Sequence, residues 1–256
     1  MQTLLLPHPD LATWLARDPV RNLFPRYVCQ ARPEGRSLAV IEDGRIRGAV
    51  VGGREFKIPF VQSDWLVADT AEAARALLAD LAARDRLDGA QLAWEGATEL
   101  IAEHPGYQVI PDVYLTRLAG PHPEIQPHGT LVQIDARAVA THTMALEIRA
   151  AIGNLATLPP DASLWGLAVA GRLVTLADTL VRCGDIASVQ QVFCAYGARR
   201  QGHTRALLTW LLAHPSVAGM TLTWLANAEN TASIRLARGL GFGDDLALAC
   251  VERVAG

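Results

Sequence analysis

The stretch VFCAYGARRQGHTRALLTWLL, residues 192–212, links an apolar run ending at Cys194 to a leucine-rich segment through a short loop carrying Arg199, Arg200 and Gly202. That order predicts a strand, a turn and an amphipathic helix opening near Thr204. The first backbone N–H groups of a helix lack internal partners and lie at the positive end of its dipole, so such a junction attracts anions. Two guanidinium groups add charge, and a glycine lets a bulky phosphate approach the backbone. A phosphate ester is the ligand this chemistry predicts. The same spacing also suits an arginine-rich surface loop that only caps a helix.

A second segment, NTASIRLARGLGF at residues 230–242, predicts another helix, with Asn230 at its N-cap and Gly241-Phe242 beyond its end. Together the two segments resemble the GNAT superfamily of N-acyltransferases, over about residues 130–254. The superfamily's R/QxxGxG/A loop is matched by Arg199, Gly202 and, less well, Thr204. Its NxxAxxLYxxxGF pattern is matched by Asn230, Ser233, Leu236, Gly241 and Phe242. The run from Val192 is similar to a branch reading V(F/Y)TxxxxRxxGxA, whose members often carry a degenerate N-terminal half.

The resemblance implies acetyl-CoA, or CoA after turnover, as co-substrate, with no metal. Free backbone groups of a splayed strand at Val192, Phe193 and Cys194 would hold the pantetheine arm. Arg199, Arg200, Gln201, Gly202, His203, Thr204 and Arg205 would surround the pyrophosphate, and Asn230 and Ser233 would reach the pantetheine or the acceptor side. The implied reaction is direct attack of a small amine or amino acid on the thioester, in a ternary complex. The chain departs from the pattern at two points. Ala237 stands where the family's acidic tyrosine commonly lies, and ASVQQVFC has no carboxylate, so Ser188, Gln190 and Gln191 could only order a water. Asp185, Glu147 and Tyr196 are the remaining acid or base candidates, each equally readable as a surface residue. Cys194 is a rival nucleophile without a histidine nearby in sequence, and His203 reads as a base or as a phosphate contact. Two other functions stay open: a non-catalytic module that binds CoA or acyl-CoA, and a protein N-acetyltransferase or partner-binding scaffold.

Three prolines and two glycines in AGPHPEIQPHG, residues 119–129, mark a linker between domains at 1–118 and 130–256. Both halves predict the order helix, hairpin, strand, helix, strand, helix, strand, which suggests a distant duplication. The expected fold is therefore α/β and tandem GNAT-like, each half a mixed, mostly antiparallel central sheet flanked by helices. Asp43-Gly44 and Ala170-Gly171 mark the hairpins, and Thr70 caps a helix through Arg84. A helix over 137–152, an unbroken run over 186–194 and a strand over 217–224 are also expected. The first half has Asp69 and Glu72 where the second has Arg199 and Arg200, so it should not bind CoA. It reads as a degenerate copy that helps shape the acceptor pocket, or as an unrelated α/β domain, with Trp14, Trp65 and Trp94 in its core.

The composition narrows the remaining classes. In 256 residues, half are apolar and 19% charged, which excludes long disorder and collagen. A net charge of −3, with Lys57 as the only lysine, provides no basic field for nucleic acid. Cys29, Cys183, Cys194 and Cys250 lack metal-site spacing, and a reducing compartment fits them. The start lacks a signal-peptide pattern and no apolar run is long enough to cross a membrane. Cytoplasmic location is expected, with a homodimer among the open oligomeric states.

Overall fold

The computed structural model describes residues 1–54, 63–94, 96–118, 120, 128–134, 146, 164–179 and 181–254. Its contacts form two units, Met1–Tyr114 with Ala226–Thr231 and Asp245–Gly256, and Leu115–Leu225 with Ala232–Asp244. The elements of the first half are β1 (Gln2–Pro7), α1 (His8–Leu15), α2 (Leu23–Ala31), β2 (Arg36–Glu42), β3 (Arg45–Gly52), β4 (Asp64–Ala68), α3 (Ala71–Ala83), β5 (Gln91–Ala93), α4 (Ala97–Ile101) and β6 (Tyr107–Arg117). Those of the second are β7 (Thr130–Ile134), β8 (Leu164–Val169), β9 (Arg172–Asp178), β10 (Val181–Cys183), β11 (Ile186–Val189), β12 (Val192–Cys194), α5 (His203–Ala213), β13 (Thr221–Asn227), α6 (Thr231–Gly239) and β14 (Gly243–Arg253).

In the first unit β1, β2, β3 and β4 pair antiparallel in turn, and β4 then pairs parallel with β5. β14 closes this unit by pairing antiparallel with β5, Ala249 opposite Leu92 and Cys250 opposite Gln91. In the second unit β7, β8, β9 and β12 repeat the antiparallel series, and β11 pairs parallel with β13. This is the mixed, mostly antiparallel α/β arrangement expected of each half.

Local chemistry accounts for most of the boundaries. Asp43 and Gly44 have φ +49 and +71, and Ala170 and Gly171 have +49 and +74. Two consecutive left-handed residues build the tight turn that matches strand twist. The Thr70 hydroxyl accepts from Ala73 N–H at 3.2 Å and so opens α3. Buried Leu77, Leu78 and Leu81 of α3 then pack with Val40, Val50, Leu66, Leu92 and Val251. Phe24 stacks on Trp65 at 4.4 Å and meets Tyr114 edge-on, while Trp14 and Trp65 are buried and Trp94 packs against the core, as expected. In the second unit α5 buries Leu207, Leu208 and Leu211 against the β8–β9 side, where Trp165, Trp210 and His214 pack ring to ring.

Several boundaries differ from the expectation. β1 is an additional strand, held by pairing with β2. The run 186–194 is two strands, because its ends pair with different neighbours, and β10 turns back on β11 through Gly184 at φ +63. β13 begins at Thr221 because 217–220 bend into it. The expected helix at 137–152, Leu146 apart, and most of the 119–129 linker lie outside the described residues.

Candidate functional site

The two halves differ at one pair of strands. In the first unit Trp65, Leu66 and Val67 of β4 each pair on both sides, with β3 and with β5. In the second unit the corresponding run is divided, and none of residues 186–194 pairs with both β9 and β13. Ile186–Val189 pair with Thr221–Trp224, and Val192–Cys194 pair with Thr175–Ala177 on the other side. Between them, Asp178 N–H donates to Gln191 O at 3.2 Å, and Gln191 N–H donates to Asp178 Oδ2 at 3.1 Å. Asp178 is fully buried, so its carboxylate fixes the point at which the strand changes partner. Gln191 and, through Ala195 N–H to Val174 O at 2.9 Å, Ala195 face β9. By antiparallel alternation the N–H and C=O of Val192 and Cys194 therefore turn to the opposite side, where β13 has diverged.

This strand leads directly into a helix N-terminus. Ala195 is followed by a tight turn over Tyr196–Ala198, and Arg200 and Gly202 take φ +62 and +81 before α5 begins. Gly202 is the N-cap and supplies no side-chain acceptor, so the first-turn N–H groups have no capping oxygen. The equivalent helix of the first unit is closed by the Thr70 hydroxyl, with Glu72 in its first turn. Beside it, Asp69 takes two hydrogen bonds from Arg17 at 3.1 and 2.9 Å. One helix start is capped and acidic, while the other is uncapped and basic.

The side chains around the uncapped loop have defined partners. Arg199 Nε donates to Cys194 O at 3.2 Å, with its guanidinium 5.3 Å from the Tyr196 ring centre. Gln201 Nε2 donates to Gly197 O at 3.0 Å, and His203 Nε2 donates to Gln201 Oε1 at 3.2 Å. Thr204, the weak match to the loop motif, turns inward. Its hydroxyl lies 3.2 Å from that of buried Thr175, which donates to Phe193 O at 2.6 Å. A β-branched side chain is therefore accommodated without facing the ligand side. Arg205 points elsewhere, donating to Gly239 O at 3.3 Å. Among the described residues, Arg172, Arg199 and Arg200 have no carboxylate partner, whereas Arg17, Arg47, Arg75, Arg84, Arg86 and Arg253 all do.

The other candidates are dispersed. Asp185 is exposed at the β10–β11 turn, seven residues ahead of Val192 and so about 20 Å along the strand. Tyr196 is 76% exposed on the loop, and Glu147 lies outside the described residues. Asn230 is exposed and donates its backbone N–H to Asn227 O at 2.9 Å. Ser233 Oγ accepts from the indole of buried Trp224 at 3.0 Å, which gives it a structural partner. Ala237 is fully buried. Cys194 is half-buried, and among the described residues no histidine hydrogen-bonds it. Sequence reasoning passed over Thr175, Asp178 and Thr223. Ser188 and Thr223 are opposed in the β11–β13 register, both fully buried, and among the described residues their hydroxyls and Gln190 Oε1 have no partner. Such buried groups call for water or a ligand. The available signal was a polar residue within each apolar run.

No family model matches the sequence, and no curated protein does. Solved structures do match. One is a GCN5-related N-acetyltransferase from Sphaerobacter thermophilus, 14% identical with a TM-score of 0.62, covering 99% of this chain and 95% of that one. Another is a tandem GNAT protein from the clavulanic acid biosynthesis pathway, 14% identical with a TM-score of 0.58, covering 100% of this chain and 99% of its own. An acetyltransferase of the GNAT family from Novosphingobium aromaticivorans is 22% identical with a TM-score of 0.51, over 85% of this chain and 92% of that one. The chain therefore has the GNAT fold, in tandem. Among the described residues no helix is long and apolar enough to cross a membrane, and no group of metal-ligating side chains assembles.

Proposed function

We propose that the chain is an acyl-CoA-dependent N-acyltransferase, with acetyl-CoA the donor and a small amine or amino acid the acceptor. One observation carries this reading: in the run from Ile186 to Cys194 no residue pairs with both β9 and β13, and the run leads into a helix start capped only by Gly202. A gap between parallel strands suits an extended amide-bearing arm, which the outward N–H and C=O of Val192 and N–H of Cys194 can hydrogen-bond. The uncapped N–H groups, with Arg199 and Arg200, suit a pyrophosphate.

In the proposed reaction the acceptor nitrogen forms a bond to the thioester carbonyl carbon, the carbon–sulfur bond breaks, and the electron pair leaves on the thiolate. The amine gives up its proton through water, for which Ser188, Thr223 and Gln190 offer buried partners at the closed end of the gap. The thiolate takes a proton from solvent. With a free pKa near 8.5 it is a fair leaving group, so positioning and backbone donors can supply much of the rate. Ala237 gives no acid, and no intermediate on Cys194 is needed.

Thermal shift with CoA, acetyl-CoA and ADP tests the cofactor. At one hundred times Kd a native-state ligand adds about 2.7 kcal/mol, and a chain of this size gains roughly 2–4 °C per kcal/mol. No rise at saturating CoA would sink the proposal. Thiol release across an amine panel tests turnover. Saturable CoA binding without release would favour the second reading, a CoA-binding module, for which the buried Ala237 and the carboxylate-free strand speak.

A further inference from the structure

A cleft of about 410 Å³ opens on the other flank of the same loop. Its walls are Val169, Val174 and Ala198, and its polar lining includes Arg172, Gln201 and His203. Hairpin geometry sets the cation. The left-handed pair Ala170-Gly171 returns the chain so that Arg172 stands opposite Val169, at the tip of β8–β9. Val174, two residues on, accepts from Ala195 N–H at 2.9 Å and so ties this hairpin to the loop. Arg172 is exposed, and among the described residues it has neither an ion pair nor a hydrogen bond from its side chain. His203 ends the cleft at the first residue of α5. The cleft thus offers apolar walls, an unpaired guanidinium and an imidazole. Its volume falls within the usual range for small-molecule sites.

The loop amides with Arg199 and Arg200 account for one diphosphate group, which leaves the Arg172 cation without a ligand charge. We infer that the cleft holds the adenosine end of the cofactor and that Arg172 binds its 3′-phosphate, making the site selective for CoA over nucleotides lacking that group. This rests on the acyl-CoA reading above. It adds a specificity residue on a hairpin that neither sequence motif contains. Guanidinium–phosphate pairing in a partly desolvated cleft gives the discrimination.

The experiment compares CoA with 3′-dephospho-CoA by calorimetry, on the native chain and on Arg172→Gln. The native chain should prefer CoA by about tenfold or more, the factor of a charge-assisted hydrogen bond. In Arg172→Gln that preference should fall to near unity, with 3′-dephospho-CoA bound as by the native chain. An equal affinity of the native chain for both ligands overturns the inference, as does an Arg172→Gln variant that still prefers CoA or weakens both equally. Binding of neither ligand by the native chain overturns the acyl-CoA reading and the subsite with it. Arg172 is an exposed turn-flanking residue, so its replacement leaves the core untouched, and an unchanged melting temperature without ligand verifies this.

Discussion

Gly202 gives the most direct test, because its conformational and ligand roles can be measured apart. Its φ of +81 lies in the left-handed region, and a Cβ there would meet no protein atom within 4 Å. Gly202→Ala therefore introduces strain without a clash, about 1–2 kcal/mol. At roughly 2–4 °C per kcal/mol, the melting temperature should fall by a few degrees while the fold persists. Gly184 is the control. It has φ +63, equally open surroundings, and a position in the β10–β11 turn at the far end of the strand. Gly184→Ala should cost a similar stability and leave CoA affinity unchanged. Gly202→Ala puts a methyl at the uncapped helix start and should lose at least one charge-assisted hydrogen bond to phosphate, worth about 1.5–3 kcal/mol or tenfold and more in Kd. Urea midpoints give the stabilities and calorimetric titration gives the affinities. Equal CoA affinities in the two variants would refute the phosphate-loop argument.

Two further outcomes follow from the geometry. Thr70→Ala removes the α3 cap and should cost about 1 kcal/mol in urea unfolding, with CoA affinity unaltered, because the capped helix start is not the ligand site. Burial first, then the nearby carboxylates of Asp112 and Glu252, push the Cys250 thiol up to about 11. A folded-state pKa above the unfolded one gives stability that is whole below the unfolded pKa, near 9, and is lost as pH rises through 11. The stability lead of the native chain over Cys250→Ala should therefore narrow between pH 8 and 11, and alkylation of Cys250 by iodoacetamide should accelerate over the same span. A lead that is constant with pH would contradict this.

The legible parts of the sequence were those governed by local chemistry. Asp43-Gly44 and Ala170-Gly171 announce their turns because few residues tolerate left-handed φ, and Thr70 announces a cap because its hydroxyl serves the next turn. The loop from Arg199 to Gly202 was legible for the same reason. What escaped was decided by distant partners. β1 exists through pairing with β2, 29 to 39 residues away, and its three consecutive leucines carry no alternation. The division of 186–194 depends on β9 taking one end and β13 the other, with Asp178 between them, and no turn residue in the run itself marks it. Asp185 fits a base by residue type alone, and its turn position follows from the same division. Thr204 read as a poor motif match because its partner, Thr175, comes from another strand.

The pairing of β14 with β5 has a consequence for biosynthesis. Leu92 emerges from the ribosome long before Ala249, so the N-terminal sheet waits with an open edge at Gln91–Ala93 while the rest of the chain is made. Unpaired strand edges invite association with other chains. A fragment ending at the linker should therefore aggregate where the whole chain does not, and a peptide spanning residues 243–254, added in trans, should rescue it.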